Sequence, residues 1–142
     1  MREIKEKGIT YAIVDTPQSI EQLDMGRALV GTQWYGDKQE SLQGSRMLYH
    51  AGKEFRVHRH KLNQRRITHT QEAMVCFSGR AEVVIYNCYQ EVIETVILKS
   101  GSIIFLYRGY HGLKIMEDNT ILYELKCGSF TNVEEDKEFF NE

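Results

Sequence analysis

From residue 45 onward the chain is cut into runs of six to eight residues, separated mostly by turns of three or four. The runs are Ser45–His50, Glu54–His60, Gln71–Phe77, Ala81–Tyr86, Glu91–Leu98, Ser102–Tyr107, His111–Met116 and Thr120–Cys127. They are rich in Val, Ile, Tyr and Phe, which favour extended backbone. Connections this short leave no room for crossover helices, so successive strands are expected to run antiparallel. The expected fold class is all-β, a single-domain antiparallel sandwich or barrel.

Before residue 45 the pattern is weaker. Ile9–Val14 and Leu29–Tyr35 read as strands, and Ser19–Met25 reads as a helical turn capped by Ser19 with Gln22 three residues on. The one proline is Pro17, and the 11 glycines stand singly between apolar segments, as turn punctuation rather than linker.

A chain of 142 residues has the size of one domain. With 18 Lys and Arg against 20 Asp and Glu the net charge is −2, which offers no electrostatic reason to expect nucleic acid or an anionic membrane as partner. The longest apolar stretches, Ala73–Phe77 and Ile103–Tyr107, are five residues, far short of the ~20 that a membrane helix needs. No apolar segment follows the charged Met-Arg-Glu-Ile-Lys-Glu-Lys start, so the expected location is the cytoplasm. Cys76, Cys88 and Cys127 form no C-x-x-C pair and fall in apolar or strand-like runs, where a free thiol is expected to behave as a small buried hydrophobe.

The chemistry is concentrated in His58-Arg59-His60, Glu72 and His111. On a strand, Arg56, His58 and His60 share a face, and two imidazoles two residues apart can converge on one metal ion. Glu72 opens the next run and would bring a carboxylate beside them across the Lys61–Thr70 loop. His111 shares a face with Leu113 and Ile115; if that face is the interior, the imidazole needs a partner there, which a shared metal would supply. Arg56 on the same inward face, with Arg65, Arg66 and Arg108 nearby, points to an anionic ligand, because guanidinium groups bind phosphate and carboxylate in a fork. Tyr107 is a further candidate for the wall of the pocket.

These residues resemble the cupin superfamily. Gly52, five residues, then His58-Arg59-His60 match the opening of the first cupin motif, and Glu72, six residues, then Gly79 match its close. Eleven residues separate His60 from Glu72 where the family has three or four, so Lys61–Gln71 would form an enlarged loop at the mouth of a barrel. In the second motif Gly101 and Gly109 fit, Tyr107 replaces proline, His111 follows Gly109 after one residue, and Ile115 stands in place of asparagine. His-Arg-His, Thr-Gln-Glu72, Gly-Tyr-His111-Gly and the late Leu-Lys-Cys-Gly-Ser-Phe and Glu-Asp136-Lys137 are similar to small cupins linked to cell-surface carbohydrate and nucleotide-sugar biosynthesis, although Ser129 stands where proline is expected.

The resemblance implies a jelly-roll β-barrel with its core in residues 45–128. Residues 1–44 would supply N-terminal strands that pair two copies as a homodimer, and 129–142 a tail of the same domain. It implies a divalent ion (Fe, Mn, Ni or Zn) held by His58, His60, Glu72 and His111, which would also be the catalytic residues. The expected activity is isomerisation or epimerisation of a small, anionic, carbohydrate-related ligand by Lewis-acid and acid/base chemistry. The alternatives are a metal-free sugar-nucleotide isomerase or epimerase, an Fe(II) dioxygenase, and a non-catalytic module that binds or senses a small ligand.

Overall fold

The structure is a computed structural model that describes residues 1–16 and 30–140. The expected helical turn at Ser19–Met25 lies outside the described residues. Ten strands run in chain order: β1 (Arg2–Glu6), β2 (Ile9–Asp15), β3 (Gly31–Tyr35), β4 (Gly44–Leu48), β5 (Glu72–Ser78), β6 (Arg80–Tyr86), β7 (Val92–Lys99), β8 (Ile103–Leu106), β9 (Tyr110–Ile115) and β10 (Ile121–Lys126). A single turn of helix, α1 (Val133–Asp136), follows. The strands form a five-stranded sheet in the order β1-β2-β8-β5-β10, a three-stranded sheet β7-β6-β9 and the hairpin β3-β4, with every pairing antiparallel.

Strand alternation explains the packing. Val14, Met74, Cys76, Ile104 and Leu106 leave one face of the five-stranded sheet and meet Val83, Ile85, Val96 and Leu98 from the three-stranded sheet, forming the main core. The intervening residues Ile13, Ala73 and Phe105 leave the opposite face and pack with Tyr35 and Tyr107 in a second cluster. Burial on both faces is why β5 and β8 read as unbroken apolar runs instead of alternating ones.

The all-β class holds, but no closed barrel is present among the described residues. β9 and β10 are edge strands of their sheets, and between them the sandwich stands open. There Leu113 and Ile115, although paired with the fully buried Val83 and Ala81, keep 45% and 51% of their surface exposed.

The run Glu54–His60, expected as a strand, is irregular, and residues 51–70 are exposed throughout. Composition supplies the physical reason. Residues 53–66 hold six Lys and Arg against one acid, Glu54. Such a cationic segment gains little by packing against a neighbour unless an anion or carboxylate meets it.

Only one thiol is a fully buried hydrophobe. Cys76 lies in the core and burial pushes its thiol pKa up, whereas Cys127 is partly buried and Cys88 is exposed in the turn after β6. Among the described residues no helix is long and apolar enough to cross a membrane.

Candidate functional site

The open side of the sandwich is where chemistry gathers. Glu72, first residue of β5, lies on the same face as Met74 and Cys76, and its side chain is only 8% exposed. Its register partner is Lys126, the last residue of β10, so the two side chains leave the sheet together. Lys126 Nζ lies 2.7 Å from Glu72 Oε1. His111 reaches across from β9 in the other sheet and sets Nε2 2.9 Å from Glu72 Oε2. That contact lacks the alignment of a hydrogen bond, so Oε2 remains a buried acceptor without a donor.

These neighbours set the protonation of Glu72. Burial pushes its carboxyl up, but His111 and Lys126 outweigh burial and hold it down to about 2. Burial disfavours the Lys126 charge in turn, yet Glu72 and Asp136 raise its pKa, so both partners are ionised.

The C-terminal segment completes the wall. Asn132 caps α1 by accepting from Glu135 N at 2.8 Å, which fixes the turn that carries Asp136. Asp136 Oδ1 accepts from Thr70 Oγ1 at 2.8 Å, and its Oδ2 lies 3.3 Å from Lys126 Nζ. Beyond it Tyr110 donates to Glu138 at 2.6 Å, and Phe140 packs edge-on against Tyr86 and Tyr110. The cleft has a volume of about 610 Å³ and is lined by His69, Glu72, Arg108, His111, Asp136 and Phe139 among others.

Of the residues singled out from the sequence, Glu72, His111 and Arg108 come together in this cleft. Arg108 is engaged away from the cleft, donating to Glu40 and to the carbonyl of Thr10. Arg56, His58, His60, Arg65 and Arg66 lie on the exposed segment. On it the rings of His58 and His60 stand 5.5 Å apart, and His58 Nδ1 bonds to the Arg56 carbonyl at 2.8 Å. Tyr107 turns to the opposite face of the sheet, where its ring stacks on Phe105.

Lys126 and Asp136 are members that sequence reasoning did not assign to the site. A signal for Lys126 was present: Leu122, Glu124 and Lys126 alternate on the core-side face of the last strand, and two charges on such a face need partners. Asp136 carried no comparable signal, because α1 sets its position.

A divalent ion would need His58 and His60 brought against Glu72 and His111. Among the described residues no three His, Cys, Asp or Glu side chains converge on one point, and Glu72 already faces the ammonium of Lys126. As arranged, the four expected ligands do not fit one ion. The sequence matches no protein-family model, and no curated protein or solved structure matches the chain.

Proposed function

We propose that this chain is a cupin-type enzyme that moves protons on a small, anionic, carbohydrate-related ligand, an isomerase or epimerase working in the cleft between the two sheets. The observation that carries the reading is the buried Glu72 carboxylate facing His111 across that cleft. Aldose–ketose isomerisation needs a group that takes a proton from the carbon beside a carbonyl and returns it to the neighbouring carbon, and epimerisation needs the proton returned to the opposite face. A carboxylate held down to about 2 is a weak base. The proton-accepting role therefore falls to His111, with Glu72 orienting the ring and stabilising its protonated form, and Lys126 keeping Glu72 ionised. Support for an anionic ligand comes from the cationic residues 53–66, which lead directly into His69 and Thr70 at the cleft wall.

The test is proton exchange in deuterated water with phosphorylated sugars and nucleotide sugars as candidate ligands. The expected result is deuterium at the carbon next to the carbonyl or at the epimerised centre, lost in His111→Ala. Ligands that raise thermal stability without exchange would assign the chain as a binding module instead.

A second reading keeps the metal, because Glu72 Oε2 is an unsatisfied buried acceptor and the His58 and His60 rings stay side by side. It requires residues 56–60 to close against β9. Elemental analysis tests it: about one Fe, Mn, Ni or Zn per chain in the parent, and none in the His58→Ala, His60→Ala double variant, would establish it.

A further inference from the structure

A second cavity, of about 540 Å³, lies beside the β3-β4 hairpin and shares only His69 and Arg108 with the Glu72 cleft. Its size is within the roughly 300–1,000 Å³ of small-molecule sites. One wall is Tyr107, 1% exposed, whose hydroxyl has no hydrogen-bond partner among the described residues. A buried hydroxyl without a partner costs about 1–3 kcal/mol, so its retention calls for an occupant that completes it. Gly36 lies at the same wall with φ +69°, and a Cβ there would come within 2.4 Å of the Tyr107 oxygen. Glycine is therefore the residue that fits beside that oxygen.

The charges that reach into this cavity cancel. Arg108 donates to one oxygen of Glu40, and Gln71 Nε2 donates to the other at 2.6 Å. Gln71, 1% exposed, is fixed in turn because its Oε1 accepts from Leu42 N at 2.7 Å. The remaining ions, Asp37 and Arg66, are exposed and of opposite sign. An anion finds no uncommitted cation in the depth, and Ile9 is the one aliphatic side chain among the described lining residues. Beside the His69 imidazole, whose Nε2 bonds to the Tyr107 carbonyl at 3.0 Å, the remaining polar side chains are hydroxyl and amide, from Thr10, Gln39, Ser41 and Thr68 with Gln71 and Tyr107.

We infer that this cavity is a binding site for a neutral, hydroxyl-rich small molecule, an uncharged sugar or other polyol, with the Tyr107 hydroxyl as the group that meets it. Burial, and then Glu40, push the Tyr107 phenol up to about 12, so it stays protonated and able to donate. The inference is independent of the proton chemistry assigned to His111, because the site lies on the other face of the sheet.

The experiment is amide chemical-shift mapping with glycerol, myo-inositol and methyl α-glucopyranoside as neutral probes and inorganic phosphate as the anionic one. At least one neutral probe is expected to shift the amides of Gly8, Gly36 and Ser41, and phosphate is expected to leave them in place. Tyr107→Phe should weaken that neutral binding roughly 3–10-fold, the effect of one lost hydrogen bond. It should also leave the melting temperature unchanged or raised, since it deletes an oxygen that has no partner in the folded chain. A silent result from all three neutral probes, phosphate shifts at these amides, undiminished binding by Tyr107→Phe, or a lowered melting temperature in that variant would each overturn the inference.

Discussion

Glu72 Oε2 and His111 Nε2 come from different sheets, from β5 and β9, and stand 2.9 Å apart at the open side of the sandwich. Neither strand pairs with the other, so this approach is set by how the two sheets stack. Lys126 on the other Glu72 oxygen makes the group a charged cluster that is mostly withdrawn from water.

Lys126→Met is expected to destabilise the fold by about 3 kcal/mol in urea denaturation, because it leaves a buried carboxylate without its nearest cation. Glu124→Ala, two residues away and exposed, should change stability by less than about 0.5 kcal/mol. Equal stability of the two variants would show that Lys126 does not hold Glu72.

Asp15, 3% exposed at the end of β2, accepts from Tyr35 at 2.7 Å and from Arg46 at 3.0 Å, with the Met1 amine 2.8 Å from its other oxygen. The amine contact is electrostatic and unaligned, leaving Oδ1 without a hydrogen bond. Burial pushes the Asp15 carboxyl up, but these partners outweigh it and the net shift is downward. A carboxyl with a lower pKa in the folded state stabilises above its unfolded value and loses that contribution as pH falls through the folded one. The melting temperature should therefore drop as pH falls below the ordinary aspartate value of 3.8, and less steeply in Asp15→Asn. Identical pH profiles for parent and variant would refute this.

Gly109 leads into β9 with φ +76°, and a Cβ there would lie 2.1 Å from the Tyr86 carbonyl oxygen. Gly109→Ala combines left-handed strain with a collision against backbone, so a loss of about 2 kcal/mol or more is expected. Tyr110 and His111 must shift with it, and the His111 ring resonances should move as stability falls.

The His58→Ala, His60→Ala double variant should change stability by no more than about 0.5 kcal/mol, since both rings are exposed. A loss of 2 kcal/mol on the scale of core changes would mean that residues 54–60 pack against the sheets in solution.

Much of the fold was legible because alternation and turn residues are local signals. The runs that became β5 to β10 were read with boundaries close to those observed, including the Glu117–Asn119 turn, where Asn119 adopts φ +60°. β1 escaped because its sequence, Arg-Glu-Ile-Lys-Glu, is charged around Ile4, the one residue it buries. The run Glu54–His60 misled in the opposite direction. Phe55 and Val57 alternate as in a strand, but extended backbone without a paired neighbour is not a strand, and pairing is not a local property.

The sequence by itself determined the all-β class, the positions of most strands and three residues of the candidate cleft, Glu72, Arg108 and His111, since each of these rests on residue type and spacing. Tertiary structure alone decided that Lys126 and Asp136 join them and that Tyr107 faces the other side of its sheet. It also left the sandwich open between β9 and β10. The reason is physical: which sheet a strand enters, and which face then meets the core, depends on pairing energies summed over residues far apart in the chain, such as Glu72 with Lys126 and Ala81 with Ile115.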